Sequence, residues 1–165
     1  MKTVGMIFIF VSSVLAGFLK SMQLEEAERF WEQFGRFVQY AEDSFRYQVT
    51  PVSGVMASYG RTGAAFSLPA RCAEHTAAGM DPPEAWARAV AECAGRLPEA
   101  DRALLLDFGA GLGVTDLEGQ LAHCALYRAR AQEKRAEARA EKQRKGRLYP
   151  MLGAAIGLGL NLLLA

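Results

Sequence analysis

Apolar residues in the first half of the chain recur at the spacing of one helix face. From Leu24 to Phe45 the pattern advances alternately by three and four positions. This spacing is typical of a helix that packs along one side. The apolar positions, which Phe30 and Phe37 widen, are Leu24, Ala27, Trp31, Phe34, Val38, Ala41 and Phe45. The pattern therefore predicts a long helix that contributes to a packed core.

Helix-breaking residues divide the next part of the chain. Thr50–Pro51 predicts that a second helix begins there, with Thr50 as its cap and Pro51 in its first turn. Tyr59–Gly63 carries two glycines and predicts a loop. A third helix is expected after Ser67, and Gly79 is expected to follow its end.

Three further helices complete the pattern. Asp81–Pro82 begins the fourth, and Leu97–Pro98 begins the fifth, which ends in a glycine-rich stretch that closes at Gly113. Thr115-x-x-Glu118 has the spacing of a capping box and predicts a sixth helix that runs to about Gln143. Alternating strand patterns are scarce. The predicted fold class is therefore all-α, a compact bundle of about six antiparallel helices.

Both ends of the chain are apolar. Thr3–Leu19 and Leu148–Ala165 contain no charged side chain, although 22% of the 165 residues are charged. A helix of 17 residues rises about 25 Å, slightly less than a bilayer core of ~30 Å, and Lys20 can extend to the interface. We therefore predict a transmembrane helix over 3–19, a helical domain over 20–147, and a second transmembrane helix over 148–165.

The residues before the second apolar segment are strongly basic. Residues 128–147 hold nine Lys and Arg against three Glu, a net charge of +6, whereas residues 20–127 have a net charge of −6. The basic residues are Arg128, Arg130, Lys134, Arg135, Arg139, Lys142, Arg144, Lys145 and Arg147. Basic segments beside membrane helices stay in the cytoplasm and attract anionic lipid. Since aromatic residues are not interleaved with them, no nucleic-acid partner is expected.

A different topology is also open at this point. Lys2 and the small residues around Ala16 resemble a cleaved signal peptide, which would export the domain and leave a tail-anchored helical scaffold. The basic stretch argues against export, because it would be carried across the membrane. Two spans with a cytoplasmic domain are the favoured arrangement.

Two patterns suggest chemistry that the rest of the sequence does not support. Leu106–Gly113 reads LDFGAGLG, like the glycine loop of S-adenosylmethionine-dependent methyltransferases, but that loop must follow a strand and the pattern here predicts a helix. Cys72-x-x-His75, Cys93 and His123–Cys124 could supply metal ligands, but no Cys-x-x-Cys pair accompanies them. We expect no enzyme activity, no cofactor and no metal, and three cysteines give no disulfide framework.

The ordered motifs of the chain resemble the stage III sporulation protein AB (SpoIIIAB) family. Gly17–Phe18 ends the first apolar segment, and Tyr47-x-x-Thr50–Pro51 follows the long helix. The most specific part is FG-x-x-LG-x-x-D-x-x-x-Q-x-x-H, which spans Phe108–His123. The resemblance covers nearly the whole chain and includes the glycine- and leucine-rich C-terminus.

The resemblance implies a role in endospore formation. The family belongs to a set of mother-cell membrane proteins that assemble a secretion-like channel towards the forespore. It is also similar to the type II secretion F-protein (GspF), a platform whose soluble domain is a six-helix bundle. By this analogy the chain would lie in the mother-cell membrane around the forespore, contact other channel proteins and dock a cytoplasmic ATPase, the AA member of the set. A general platform of type II secretion or type IV pili is the alternative.

Loops on rigid helices are common binding sites. The candidate partner interface therefore consists of the two turns that carry the resemblance. Its residues are Thr50, Pro51, Phe108, Gly109, Gly113, Asp116, Gln120 and His123. Gly109, Gly111, Gly113 and Asp116 have a structural interpretation as well, in which they only form a turn and a helix cap.

Overall fold

The apolar residues of the first half lie on one long helix. In a computed structural model of the chain, α1 runs over Lys2–Gln48. The structure describes residues 2–48 and 51–145, and the side chains of 22, 25–47 and 51–144. Along α1 the buried positions include Trp31, Phe34, Phe37, Val38, Ala41 and Phe45. The predicted packing role of this face is confirmed from Trp31 to Phe45, whereas Ala27 is partly buried and the side chain of Leu24 lies outside the described residues.

Five shorter elements follow α1 in the described part of the chain, and all are helices. They are α2 (Val52–Arg61), α3 (Leu68–Ala77), α4 (Pro82–Cys93), α5 (Glu99–Gly111) and α6 (Leu117–Lys145). Residues 2–48 and 51–145 contain no strand. Proline lies in the first turn of both α3 and α4, and Gly79 follows α3 with a φ of 94°. The all-α class and the helix count are therefore as predicted.

The chain divides into two compact units. The bundle unit comprises Phe30–Gln132 and holds the aromatic core. There Phe37 of α1 lies 5.1 Å from the ring of Tyr59 and 6.0 Å from that of Trp86, and Phe34 lies 5.3 Å from Phe108. The pair of Phe37 with Trp86 is stacked and the other two are edge-to-face, and aromatic pairs of both kinds at these distances stabilise a core beyond the burial of their area. One face of α1 thus holds α2, α4 and α5 together.

The terminal unit is built from the two ends of the chain, and the structure describes its residues 2–29 and 133–145. Its described contacts are ionic. Lys142 Nζ donates to Glu28 Oε2 at 3.2 Å, and Lys134 Nζ lies 3.2 Å from Glu137 Oε2. No helix in the described parts of the chain is long and apolar enough to cross a membrane. Residues 148–165 and the side chains of 3–19 lie outside those parts, so both transmembrane helices stay predictions.

Two predicted boundaries around α2 are wrong. Pro51 is the N-cap and not the first helical residue: its ψ of 153° is extended, while its carbonyl accepts the first helical hydrogen bond, from Val55 N at 3.1 Å. Thr50, predicted as the cap, lies outside the described residues. Tyr59 was expected in a loop but is helical and buried, because its ring packs between Phe37 and Tyr40. The loop begins instead at Thr62.

The glycine-rich stretch at the end of α5 also differs from its predictions. The segment 106–113 lies on α5 and the turn after it, with no preceding strand in the described chain, so the methyltransferase interpretation is wrong. Gly109 lies inside α5 and does not end it, whereas Gly111 is the last residue of the helix. Gly113 is the turn residue, with a φ of 78° that glycine adopts readily.

Candidate partner-binding site

One glutamine organises the connection between α5 and α6. Gln120 is buried, and its Oε1 accepts from Gly113 N at 3.0 Å. Its Nε2 donates to Gly111 O at 3.1 Å and to Thr115 Oγ1 at 3.0 Å. A single amide thus satisfies one carbonyl that the end of α5 leaves without a helical partner, together with an N–H and a hydroxyl of the turn that follows. The turn is held in place by the helix that follows it.

Asp116 starts that helix. Its carbonyl accepts from Gln120 N at 2.9 Å and its Oδ1 accepts from Gly119 N at 3.0 Å, so Asp116 is the N-cap of α6. The predicted capping box with Thr115 as the cap is wrong. Thr115 lies one residue too early to reach the first free N–H groups, and its hydroxyl is engaged by Gln120 instead.

His123 of α6 contacts Phe108 of α5 and so also stabilises the connection between the two helices. Its Nε2 lies 2.9 Å from Phe108 O, so this nitrogen carries a proton and donates, because a carbonyl oxygen only accepts. The imidazole stacks on Phe108 at 5.4 Å with an interplanar angle of 14°. A Cβ at Gly111 would collide with the ring of His123, so this position needs glycine.

Gly109 allows a similarly close approach on the inner face of α5. A Cβ there would collide with the indole of Trp86. Trp86 Nε1 donates to Leu105 O at 2.7 Å, in the turn of α5 before Gly109. The glycine therefore lets α4 and α5 approach closely enough to make this buried hydrogen bond.

A shallow groove lies on the outer side of the connection. It has a volume of about 380 Å³ and includes Ala110, Val114, Ala122 and Leu126 in its lining, with His123 at one wall. Val114 is 72% exposed and Leu126 is 49% exposed. We call this surface the α5–α6 groove. Two carboxylates, Asp116 and Glu118, are exposed in the adjoining first turn of α6.

The predicted interface residues fall into two groups. Phe108, Gly109 and Gln120 are buried, and they shape the connection from within. The surface belongs to Pro51, Gly113 and Asp116, which are exposed, and in part to His123. The two predicted turns are brought together, since a Cβ at Gly113 would lie 3.3 Å from Val52 Cγ2 at the start of α2.

Sequence reasoning missed the apolar part of this surface. Val114 and Leu126 are large apolar residues that line the groove and are exposed in the structure, whereas the exposed Leu106 and Leu117 do not line it. The only available signal was an apolar valine between Gly113 and Thr115, where a polar turn residue is usual. Exposed apolar groups that adjoin one another mark binding surfaces, whereas scattered ones do not. Combined with two carboxylates, the groove is suited to binding a protein segment and not to covalent chemistry.

The predicted basic tail is divided between the two units. Arg128 and Arg130 belong to the bundle unit. Arg128 Nη1 lies 3.1 Å from Glu42 Oε2, within ion-pair distance although not aligned as a hydrogen bond, and Arg130 lies over the ring of Tyr127 at 5.2 Å. Arg128 therefore ties α6 to α1 within the bundle unit, whereas the contact of Arg130 stays within α6. Lys134, Arg135, Arg139, Lys142 and Arg144 belong to the terminal unit, whereas the side chain of Lys145 and all of Arg147 lie outside the described residues.

The cysteines and the other histidine occupy separate environments. Burial raises the pKa of the Cys72 thiol, and burial together with the nearby Glu42 carboxylate raises the pKa of Cys124 to about 12. The ring of His75 is 3.2 Å from a carboxylate oxygen of Glu92, and this contact holds the pKa of Glu92 below its usual range. Within the described residues no three potential metal ligands cluster.

Comparison with known proteins identifies relatives of the chain. The family model for stage III sporulation protein AB matches residues 2–165. A solved structure of a stage III sporulation protein AB (SpoIIIAB) is similar over 72% of this chain and 98% of that chain, with 21% identity and a TM-score of 0.63. At that identity the likeness shows a common fold. No curated protein sequence matches. Because the family model covers nearly every residue, the chain belongs to the stage III sporulation protein AB family.

Proposed function

We propose that this sporulation protein is a non-enzymatic membrane platform of the channel between mother cell and forespore. Its bundle unit would bind the cytoplasmic secretion-type ATPase of the same set of proteins. Membership of the family supports the role in sporulation. The platform role draws on the similarity of the family to the type II secretion F-protein and on the six-helix architecture.

The observation that carries this proposal is the α5–α6 groove. It combines exposed apolar side chains with carboxylates, on a connection that Gln120 and His123 hold rigidly. The bundle unit as a whole has twelve acidic and nine basic residues, so a basic partner surface would be attracted to it. An apolar contact surrounded by complementary charge is the usual anatomy of a protein interface.

The membrane placement follows from the two uncharged segments. Residues 3–19 and 148–165 would cross the mother-cell membrane around the forespore, and the basic residues before the second segment would keep the bundle unit on the cytoplasmic side. Both ends of the terminal unit then adjoin the bilayer. In this arrangement the basic tail contacts anionic lipid while the bundle unit reaches the ATPase and the other channel proteins.

The docking hypothesis is tested by capture of the purified ATPase on the full-length protein in detergent. Val114→Asp places a charge in the α5–α6 groove, and we expect it to weaken capture by about tenfold or more. Ala87→Asp is the matched control, because Ala87 is exposed on α4 and does not line the groove. Equal capture by the wild type and Val114→Asp would remove the groove from the interface.

A second pair of variants separates charge from folding at Asp116. Asp116→Arg should abolish ATPase capture, because it reverses an exposed charge beside the groove. It also removes the cap of α6, whereas Asp116→Asn retains a capping side chain and loses only the charge. We expect capture to be abolished by Asp116→Arg and weakened by Asp116→Asn, and a lower melting temperature for Asp116→Arg alone. Unchanged capture by Asp116→Arg would exclude this residue from the contact.

The cellular role is tested by deletion of the gene in its own organism. We expect sporulation to arrest after the forespore is engulfed, and the intact gene to restore spores. Val114→Asp should reproduce the arrest at normal protein level. Normal sporulation of the deletion strain would contradict the platform role.

A further inference from the structure

Three cationic side chains of the terminal unit form one face of α6. Arg135, Arg139 and Lys142 are spaced by four and three positions, which places them on the same side of the helix. Together with Glu28 of α1 and Gln143 they line an open groove of about 740 Å³. All five residues belong to the terminal unit. We call this feature the basic groove.

The basic groove has a surplus of positive charge. Its one carboxylate, that of Glu28, accepts from Lys142 Nζ at 3.2 Å. The Lys142 side chain is 37% exposed, so it can also reach a ligand. The exposed guanidinium of Arg139 supplies a planar fork of N–H donors, which matches the oxygens of a phosphate group. Arg135 adds positive charge, and the Gln143 amide adds a neutral donor. The groove is thus equipped to hold an anion with several oxygens.

We propose that the basic groove binds the phosphate of an anionic lipid headgroup, an inference that rests on the membrane placement proposed above. Glu28 lies nine positions after the end of the uncharged segment 3–19, and Lys142 lies six positions before the start of 148–165. Both walls of the groove are therefore close in sequence to the predicted bilayer. None of its five described lining residues is aromatic, so the groove offers no surface on which a nucleobase would stack.

Glu28 limits how tightly the basic groove binds a phosphate group. Its carboxylate neutralises part of the charge of Lys142 and would repel an approaching phosphate. Replacing the carboxylate by an amide of the same shape frees Lys142 and removes the repulsion. Glu28→Gln should therefore bind anionic lipid more tightly than the wild type, whereas a role of Glu28 in holding the groove open would give the opposite result.

The test uses the full-length protein in dodecyl maltoside micelles and native mass spectrometry to count retained lipids. Wild-type protein should retain phosphatidylglycerol in preference to phosphatidylcholine. The triple variant Arg135→Gln, Arg139→Gln, Lys142→Gln should lose about tenfold or more of that preference, since each basic residue at a lipid surface contributes to binding. Glutamine keeps side-chain length and helix propensity.

The matched control removes the same charge from another part of α6. Arg130→Gln, Lys134→Gln, Arg144→Gln changes the net charge equally at residues that do not line the basic groove. We expect it to retain the wild-type preference. Equal losses of lipid preference in the two triple variants would overturn the proposal, because lipid binding would then depend on net charge alone.

Competition with inorganic phosphate distinguishes the source of the ligand. Phosphatidylglycerol should stay bound when phosphate is added in large excess over lipid. Displacement by phosphate would overturn the assignment to lipid in favour of a soluble anion. Release of the protein from membranes by alkaline carbonate would instead contradict the membrane placement itself. A protein that resists extraction but shows no lipid preference would overturn the proposed lipid binding by the basic groove and leave the membrane placement standing.

Discussion

Two helical glycines differ in what surrounds them. At Gly109 a Cβ would collide with the indole of Trp86. At Gly35 a Cβ would lie 3.6 Å from Ala131 Cβ, which is an ordinary van der Waals contact. The first glycine is required by the close approach of α4 and α5, whereas the second only adds backbone freedom to the unfolded chain.

Alanine at these two positions should therefore change stability in opposite directions. Gly109→Ala displaces Trp86 and its hydrogen bond to Leu105 O, and we expect it to lower the free energy of unfolding by about 2–3 kcal/mol. Gly35→Ala should raise that free energy by about 0.5–1 kcal/mol. Thermal unfolding of the full-length protein in detergent, followed by circular dichroism, measures both. Destabilisation by Gly35→Ala would contradict the 3.6 Å that separates a Cβ at position 35 of α1 from Ala131 Cβ of α6.

Cys124 makes stability depend on pH in the alkaline range. Its thiol is buried, and its pKa is raised from an ordinary 9.0 to about 12. Above pH 9 the unfolded chain releases this proton while the folded chain retains it, so the free energy of unfolding falls as pH rises. The loss approaches about 1.4 kcal/mol per pH unit until the folded thiol also ionises.

We expect the wild-type protein to lose about 1.4 kcal/mol of stability through Cys124 between pH 8 and pH 10. Cys124→Ala removes the titrating group, so its free energy of unfolding should fall less steeply over this range. Cys93→Ala is the control, because Cys93 is only partly buried. Denaturant unfolding at a series of pH values gives the slopes. Identical slopes for Cys124→Ala and wild type would show that this thiol does not ionise differently in the two states.

The connection between α5 and α6 depends on an amide that comes after it in the chain. Gln120 lies on the first turns of α6 and satisfies Gly111 O, Gly113 N and Thr115 Oγ1. The Gln120 side chain is buried and its hydrogen bonds are partly buried, so a lost donor leaves the Gly111 carbonyl without this partner. These hydrogen bonds of Gln120 fix the geometry of the turn beneath the α5–α6 groove.

Gln120→Glu tests this interpretation with almost no change of shape. The variant keeps the acceptor for Gly113 N but loses both donated hydrogen bonds and buries a charge, and we expect it to cost about 2 kcal/mol or more of stability. Gln132→Glu makes the same substitution at an exposed position of α6 and should change stability by less than about 0.5 kcal/mol. Equal melting temperatures for the two variants would contradict the role of Gln120.

Helix ends were predicted less accurately than helix faces. The cap of α6 is Asp116 and not Thr115, and the cap of α2 is Pro51 and not Thr50. At α6 two adjacent residues have side chains that can cap, and the cap is the one that reaches a free N–H group. At α2 the cap Pro51 makes no side-chain hydrogen bond and is defined by its extended backbone alone. The apolar face of α1 was predicted correctly, because it repeats over many turns and a single exception does not change it.

Charge is arranged by region across the whole molecule. Residues 20–127 carry 15 acidic and nine basic side chains, residues 128–147 carry nine basic and three acidic ones, and uncharged segments lie at 3–19 and 148–165. If these segments span a membrane, the protein should stay in the membrane pellet after alkaline carbonate extraction. Removal of both segments should release it, because the anchoring then rests on the basic residues alone.

Protease protection measures the orientation. In intact cells with protease outside, the bundle unit should be protected, and it should become accessible only when the cytoplasmic face is exposed. Removal of residues 148–165 alone should leave the protein in the membrane through 3–19. Cleavage of the bundle unit from outside would favour the exported scaffold that was the alternative topology.

The candidate site was predicted in part. The order FG-x-x-LG-x-x-D-x-x-x-Q-x-x-H located the correct connection, but it did not separate residues that build the turn from residues that face outward. Phe108, Gly109 and Gln120 proved to be internal, and Val114 and Leu126 proved to be the exposed apolar groups. Burial depends on what packs against a residue, so a pattern within one segment does not determine it.

The sequence by itself determined the helical class, the number of helices, the packed face of α1, the charge division and the family. All of these depend on local spacing or on composition, which hold wherever the segments lie in space. Only the tertiary structure decided that α2 begins beside Gly113, that Trp86 requires a glycine at position 109, and that Glu28 joins three cations of α6 in one groove. These pairs are separated by 20 residues or more along the chain, so only folding brings them into contact.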